Sequence, residues 1–173
     1  VVFSLLKNAI GAQQSIPSQI LVGLAIFLTI FIMQPVYTEI NEVALKPYSN
    51  EEITFEQALE NASNPLKDFM LKETRQKDLE LFVDAAKLNS GELTRENIPL
   101  YSIVPAFAIS ELKTAFQIGF LLFVPFMVID MIVASVLMSM GMMMIPPTVI
   151  SLAFKLLLFV MVDGWNLIVK SLI

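Results

Sequence analysis

Hydrophobic and polar positions are sharply segregated along this chain, in the order apolar, polar, apolar. Residues 20–33 are almost entirely apolar and predict a helix that ends at Pro35, because proline interrupts helices. Residues 98–173 are again nearly apolar and predict two helices, over 115–138 and 149–173, joined by a turn. We therefore expect an all-α fold of membrane-associated helical hairpins, with a small helical extracytoplasmic insertion between the apolar segments.

This pattern divides the chain into three segments. Residues 1–38 form an N-terminal apolar helical segment, residues 39–97 a charged helical insertion, and residues 98–173 an apolar helical hairpin with a Met-rich loop. A helix over 20–33 would be about 21 Å long, short of the roughly 30 Å hydrocarbon core of a bilayer. It fits either a short membrane helix or a buried bundle helix. The two hairpin helices are long enough to cross a bilayer, and Pro125 predicts a kink in the first of them.

The insertion carries most of the charge. Residues 39–96 hold 13 of the 16 acidic and 7 of the 11 basic residues, a net charge of −6. The pairs Asp68/Lys72 and Glu73/Lys77 are four residues apart with the acid first, a spacing that stabilises a helix. We interpret these charges as a solvated helix face on a wet side of the membrane.

Capping residues divide the insertion into helices. Thr54 and Gln57 have the spacing of a capping box, which predicts a short helix that ends near residue 62. Asn64 before Pro65 predicts the start of a second helix, because proline is favoured at the first helical position. The apolar faces of these helices, which we expect to pack against copies of the same insertion, include Phe69 and Phe82.

Composition narrows the class of protein. The chain is 56% hydrophobic with a mean hydropathy of +0.72, and 16% of its residues are charged, against about 25% in a soluble domain. The surplus of apolar surface predicts burial in membrane lipid, in a large oligomer interface, or in both. The net charge of −5 argues against a nucleic-acid partner.

Catalytic and metal chemistry have little support in the sequence. The chain contains no Cys and no His, so thiol chemistry, thiolate metal sites, Ser-His catalysis and histidine relays are excluded. No glycine-rich phosphate loop and no paired carboxylates in an apolar setting stand out. We therefore expect no catalytic residues, no metal and no cofactor, and we do not expect an enzyme.

Six charged residues lie within the apolar C-terminal segment, where charge is costly unless it is paired or faces water, and all but Lys170 are candidate site residues. Asp130 fits either a pore-lining or inter-subunit contact, or a buried acid that is satisfied by hydroxyls or backbone amides. Lys155 fits either snorkelling or a pair with an acid of another subunit. Glu111 and Lys113 are two apart and cannot face each other on a helix, so each needs a partner elsewhere. Asp163 marks a predicted chain kink beside an interfacial Trp165, with ordinary anchoring as the alternative.

The predicted hairpin tip is rich in methionine. Four of the ten methionines fall within five positions, and Ile145 separates them from Pro146-Pro147. Methionine is flexible and polarizable, so a cluster of it suits a surface that must seal and then yield. The alternative is a hydrophobic turn that is merely Met-rich. The residues of this candidate pore gasket are Met140, Met142, Met143 and Met144.

Several runs of sequence resemble, in order, the FliP/SctR family of type III export-gate proteins. The most characteristic is residues 110–120 (Ser-Glu-Leu-Lys-Thr-Ala-Phe-Gln-Ile-Gly-Phe). The resemblance extends over essentially the whole chain and is closer to the flagellar than to the injectisome branch.

Family members carry a signal peptide and a further N-terminal segment, and we expect these to be missing before Val1. Ala153 stands where the family has proline, so we expect no kink there. The other matching runs are residues 7–14, 65–70, 141–147, 154–156 and 162–165.

The resemblance implies a function that spacing alone does not. It implies a core subunit of the flagellar export gate, in the bacterial inner membrane at the flagellar basal body. The implied partners are four further copies of the chain in a helical oligomeric pore, FliQ-like and FliR-like subunits, larger export-gate proteins and unfolded export substrates. It further implies that the Met-rich loop is a gasket around the pore, and that the apolar hairpins are held largely above the bilayer plane.

Three hypotheses remain open at the level of sequence. The first is a protein-export gate subunit, the second an ion- or proton-conducting subunit, and the third a structural scaffold of a membrane complex. A polypeptide path needs a wide, deformable seal, whereas a proton path needs a chain of polar groups. Asp130 is the one such group in the middle of an apolar segment, which disfavours a relay.

Overall fold

A computed structural model describes residues 1–13, 16–87, 97–142 and 145–173 of the chain. Within these ranges the chain is helical and contains no β-strand, so the predicted all-α fold is confirmed. The helix break predicted at residues 89–91 lies outside the described residues. The elements are α1 Val2–Ile10, α2 Ser18–Ile40, a π-helix Asn41–Leu45, α3 Lys46–Ser49, α4 Phe55–Glu73, α5 Gln76–Ala85, α6 Leu100–Ser139, α7 Pro147–Met161 and α8 Gly164–Leu172.

Contacts group the chain into two compact units. Unit 1 consists of Val1–Thr29 and Ala115–Ile173, and unit 2 consists of Ile30–Thr114. The helices α2 and α6 each contribute residues to both units. The three segments expected from composition are therefore not the groups that the contacts define, and their value as functional divisions stays a prediction.

The core of unit 1 forms around α1. Its apolar residues recur every three or four positions, so they line one face of the helix. Gly11 ends the helix in the left-handed conformation, with φ of 83°, and its N–H donates to the Asn8 carbonyl. The buried face of α1 contributes to a cluster that consists of Val2, Phe3, Leu6, Ala9, Ile10, Ala12, Leu21, Phe126, Phe159 and Ile168.

Helix α6 approaches α1 closely at Gly119. A Cβ atom at this position would overlap the end of the Leu5 side chain and would lie 3.2 Å from Leu5 Cβ. Gly23 of α2 is different, since nothing lies within 4 Å of the place where its Cβ would be. The absence of a side chain at Gly119 is therefore a packing requirement, which Gly23 does not share.

Two helices of the chain run through prolines at which the sequence predicts a boundary. Helix α2 continues past Pro35 to Ile40, and α4 continues past Pro65 to Glu73, so both predicted helix ends are wrong. An interior proline costs about 3 kcal/mol through a lost hydrogen bond and a clash. Pro65 is buried, and its packing offsets part of this cost. The capping box at Thr54 and Gln57 is confirmed, with both of its hydrogen bonds formed.

The hairpin helices also differ in length from the prediction. Helix α6 begins at Leu100, well before residue 115, and is assigned as one helix through Pro125. The second predicted helix is two helices, α7 and α8, at an angle of 66°. The bend lies at Asp163, which has a φ of 50°, so the kink predicted there is confirmed. Gly164 allows the bend to pack, because a Cβ on it would overlap the ring of Phe159.

Two stretches of the described residues are long and apolar enough to cross a membrane, and there is a third if a bent pair of helices counts as one span. Two are single stretches, Ser18–Ser49 and Leu100–Ser139, and the third is the bent pair Pro147–Met161 and Gly164–Leu172. Only 11% and 17% of the most apolar windows of the two single stretches are buried within the protein. Most of their surface is therefore available to lipid or to other subunits.

We expect Gly119→Ala to lower the free energy of unfolding by about 1–3 kcal/mol, since its methyl group overpacks the contact with Leu5. Thermal unfolding of the detergent-solubilised chain measures this. Gly23→Ala is the control, and it should be neutral or stabilising by about 0.5–1 kcal/mol, because alanine is the better helix former. Shortening Leu5 to Ala should recover part of the loss. A Gly119→Ala variant as stable as the parent would contradict the packing.

Candidate functional site

Unit 1 contains a buried polar cluster centred on the ammonium group of Lys155. Lys155 and Ser151 lie one turn apart on α7 and face Asp130 of α6. Lys155 Nζ donates to Asp130 Oδ2 at 2.6 Å and to the Ala9 carbonyl at 3.1 Å. Ser151 Oγ donates to Asp130 Oδ1 at 2.5 Å. Both carboxylate oxygens of Asp130 are therefore paired, and the cluster joins α1, α6 and α7.

Burial makes the pairing of this cluster important for stability. The Lys155 side chain is 6% exposed and Ser151 is fully buried, while the Asp130 side chain keeps 35% exposure. An isolated charge in such apolar surroundings would be very costly, so the ammonium requires its anionic partner. Its second partner, the Ala9 carbonyl, belongs to the last turn of α1, where carbonyls lack helical donors and a cation complements the helix dipole. The cluster is thus both an ion pair and a helix cap.

A second polar cluster lies in unit 2, where α5 meets α6. Asp78 accepts hydrogen bonds from the Lys113 ammonium and from Ser110 Oγ, the latter at 2.9 Å. Ser110 Oγ also accepts from the Arg75 backbone N–H at 3.0 Å. The Arg75 guanidinium donates to Thr114 Oγ1 at 3.1 Å. These bonds fix the first turn of α5 against one stretch of α6.

Asp78 is the buried member of this second cluster. Its side chain is 4% exposed, whereas that of Lys113 is 52% exposed. The hydrogen bond from Lys113, followed by the one from Ser110, holds the pKa of the Asp78 carboxyl below its ordinary value, and these outweigh the opposing effect of burial. The interpretation of all the insertion's charges as a solvated face is therefore wrong for Asp78. The expected Glu73/Lys77 pair also fails as a helix pair, because α4 ends at Glu73 and α5 begins at Gln76.

The other candidate polar residues occupy distinct places. Lys113 has the inter-element partner that its spacing demands, since Asp78 belongs to a different helix. Glu111 is exposed on α6, and Asp163 is exposed at the bend between α7 and α8. The partners of Asp130 and Lys155 described above belong to the same chain. Pore-lining or inter-subunit roles for these five residues stay predictions.

The predicted gasket is only partly described by the structure. Met140 and Met142 are 66% and 41% exposed at the tip of α6, where Gly141 adopts a left-handed φ of 75°. Met143 and Met144 lie outside the described residues. The exposed methionines are consistent with a role at a surface, and the gasket itself stays a prediction.

The aromatic residues of the insertion pack within unit 2. Phe69 is half-buried and makes an edge-to-face contact with Phe107, with ring centroids 6.0 Å apart. Phe82 is also half-buried, on α5. Each therefore retains exposed ring surface, and packing between copies of the insertion stays a prediction.

Both units expose many large apolar side chains. An apolar groove of about 400 Å³ lies between α6 and α7, lined by residues such as Ile129, Val133 and Phe154. Among the described residues no group of three or more His, Cys, Asp or Glu side chains could hold a metal ion. Large apolar side chains that are at least half exposed include Ile20, Phe27, Phe31, Tyr37, Phe116, Phe120, Leu121 and Met131.

Sequence reasoning missed several members of the two clusters. Ser151 and Lys155 are four residues apart and share a helix face, so the spacing alone could have predicted a hydroxyl near the buried lysine. The Ala9 carbonyl had none, because it is a backbone group 146 residues away from Lys155. Asp78 and Ser110 also lacked a signal, since their contact depends on how α5 lies on α6.

Comparison with known proteins gives one consistent result. The sequence profile described as the FliP family matches residues 1–172. A protein named flagellar biosynthetic protein FliP from Bacillus subtilis is 58% identical over the whole chain, which covers 78% of that relative. Proteins of the same name from Buchnera aphidicola (subspecies Acyrthosiphon pisum) and Pectobacterium carotovorum are 53% and 50% identical over 99% of the chain. The chain covers 45% and 66% of these two relatives, respectively.

We expect Asp130→Ala to destabilise unit 1 by about 3–5 kcal/mol, because it leaves the buried Lys155 ammonium without its anion. Thermal unfolding in detergent measures the loss. The double variant Asp130→Ala/Lys155→Met removes both charges and should regain most of it. If the single variant unfolds at the temperature of the parent, or the double variant is no better, the pair does not hold the unit together.

The lowered pKa of Asp78 predicts an acid-sensitive contribution to stability. An unfolded aspartate titrates near pH 3.9. Because the pKa is lower in the folded state, the Asp78 carboxylate stabilises unit 2 fully above about pH 4, and this contribution is lost as the pH falls through the folded value. Asp78→Asn should therefore lower the Tm at pH 7, and the difference from the parent should shrink in acid. Asp84→Asn, at an exposed position of α5, is the control and should match the parent throughout. A constant difference between Asp78→Asn and the parent would rule out this linkage.

Proposed function

Because this chain belongs to the FliP family, we propose that it is a core subunit of the flagellar type III protein export gate. In this proposal it forms, with its partners, the pore through which unfolded flagellar substrates cross the bacterial inner membrane, and it nucleates assembly of the basal body. The carrying observation is the match of residues 1–172 to one family of flagellar biosynthetic proteins. A role in the flagellar export apparatus and a membrane-associated location follow from that membership.

The exposed apolar surface supports an assembled rather than a solitary chain. Monomeric soluble proteins rarely expose large contiguous apolar patches. Here both long apolar stretches leave most of their surface uncovered. We propose that copies of this chain, FliQ-like and FliR-like subunits and membrane lipid cover it, and that larger export-gate proteins join the same assembly. The family resemblance implies that five copies of this chain assemble together.

Within this assembly we propose two contact regions. The methionines at the end of α6 and in the following turn would meet around the pore axis and form a pliable apolar ring. Such a ring excludes water and ions by dewetting, yet it parts for an incoming chain. In the insertion, the remaining exposed surface of Phe69 and Phe82 would pack against neighbouring copies.

An ion- or proton-conducting subunit is the alternative in which Asp130 carries protons. The geometry favours a conducting subunit less than an export gate, because both carboxylate oxygens of Asp130 already accept hydrogen bonds from Lys155 and Ser151. A scaffold without a gating role is the other alternative. Ions or protons would pass through a conducting complex, and nothing would pass through a scaffold, whereas an export gate passes polypeptide chains.

Complementation tests the function directly. In cells that lack their own family member, a relative in which this chain replaces the matching residues should restore motility and secretion of flagellar proteins. A photo-crosslinking residue at position 142 should capture substrate that is arrested during export. Restored complex formation without export would favour the scaffold, and an ion conductance with no captured substrate would favour the channel.

We expect replacement of Met142, Met143 and Met144 by alanine to widen the constriction and let small solutes leak, with export partly retained. Replacement by leucine keeps the volume but stiffens the ring, so it should leak less and export less well. Solute uptake and membrane conductance compare the two variants. Alanine at three exposed methionines outside the loop, Met127, Met131 and Met161, is the control and should not leak. If the loop variant with alanine stays as tight as the parent, the seal lies elsewhere.

A further inference from the structure

The helices α4 and α5 differ in how their N-termini are capped. Helix α4 begins with a complete capping box of its own, formed by Thr54 and Gln57. Helix α5 follows Arg75, whose extended backbone marks the N-cap position but whose side chain forms no cap hydrogen bond. Asp78 occupies the third helical position, from which the side chain of a capping box bonds the N–H of the N-cap residue. Helix α5 thus has the acidic half of a capping box and lacks the hydroxyl half.

A serine of α6 lies between the two ends of this incomplete box. Ser110 Oγ accepts a hydrogen bond from the Arg75 N–H at 3.0 Å and donates one to Asp78 Oδ2 at 2.9 Å. The side chains of Ser110 and Asp78 are both buried, so water competes little for these bonds. The link that a capping box makes within one helix is therefore made here through a hydroxyl from another helix.

Two neighbours of Ser110 on α6 bind the same corner of the chain. Lys113 donates to Asp78 Oδ1, and Thr114 Oγ1 accepts from the Arg75 guanidinium at 3.1 Å. Positions 110, 113 and 114 are three and four residues apart, so they lie on one face of α6. Helix α6 thus presents a polar strip, Ser110, Lys113 and Thr114, to the N-terminus of α5.

Helix α5 has few other means of staying folded. It has ten residues, and isolated helices shorter than about 12–15 residues are marginal in water. Within Gln76–Ala85 the one apolar side chain that is buried is Val83. Packing of an apolar face contributes correspondingly little, and the polar strip of α6 becomes the main support of the first turn of α5.

We propose that α6 caps α5 through Ser110, so that the first turn of α5 is helical only while α5 is docked on α6. Ser110 is in this sense a positioning residue for the insertion, because one hydroxyl joins the N-cap N–H to the acid at the third helical position. Undocking removes the cap and the partners of Asp78 together, so α5 docks and folds in one step. The inference does not depend on the proposed function, since every bond lies within unit 2 of one chain.

Hydrogen exchange followed by mass spectrometry tests the cap on the full chain in detergent. The variants are Ser110→Ala, Arg75→Ser and the two combined. Arg75→Ser places a hydroxyl of α5 itself at the N-cap position, three residues before Asp78, and by itself it measures the loss of the guanidinium contact. Ser102→Ala is the matched control, since Ser102 is an equally buried serine of α6 in the same unit and its hydroxyl bonds no described residue.

Ser110→Ala should accelerate exchange in the first turn of α5 by about fivefold or more, the change in an opening equilibrium that corresponds to the roughly 1 kcal/mol of a helix cap. Exchange in the first turn of α4 should match the parent, because that helix carries its own capping box. In the Arg75→Ser background, Ser110→Ala should have little further effect, because a serine at position 75 and Asp78 form a capping box within α5. Ser102→Ala should leave both helices as they are in the parent.

Equal acceleration at the starts of α4 and α5 would overturn the proposal, because Ser110 would then act through the stability of the whole unit. Parental protection of α5 in Ser110→Ala would overturn it as well, and so would a combined variant that exchanges as fast as Ser110→Ala. If Ser110→Ala does not accumulate at all, recovery of protein in the combined variant supports the cap, and failure of the combined variant counts against it.

Discussion

Lys155 places a full positive charge in an apolar unit, and the arrangement of that unit follows from satisfying it. Its ammonium reaches Asp130 on one helix and the Ala9 carbonyl at the end of another, while Ser151 engages the second carboxylate oxygen. In such surroundings an unpaired charge or polar group costs several kcal/mol. Three helices are therefore held in one arrangement by the need to keep a single buried cation paired.

The same constraint recurs in unit 2 with different groups. The Asp78 carboxylate is buried and accepts hydrogen bonds from a lysine and a serine, and that serine accepts one from the backbone before α5. The Val43 carbonyl of the π-helix accepts a hydrogen bond from Asn61 of α4 at 3.1 Å. In each case a polar group forms a hydrogen bond with a partner on another helix. These contacts define the relative placement of helices more narrowly than apolar packing, which is non-directional.

Apolar surface makes the chain depend on lipid or other subunits. The cores of the two units use only some of the hydrophobic residues, and long faces of α2 and α6 stay uncovered. A chain of this composition reaches a low free energy only when lipid or other subunits cover those faces. Family membership and surface chemistry thus agree, since a subunit of a membrane-associated apparatus needs more apolar surface than its own core can bury.

The sequence by itself determined the all-α class, the apolar–polar–apolar order, the capping box at Thr54, the kink at Asp163 and the family, because these depend on local spacing and on continuous runs of residues. It did not determine that helices continue through Pro35 and Pro65, nor that Asp78 is buried. The burial of Pro65 and of Asp78 depends on how helices pack on one another, whereas Pro35 is exposed within α2. Only the tertiary structure decided them, because a local rule is overridden when packing or a partner on another helix offsets its cost.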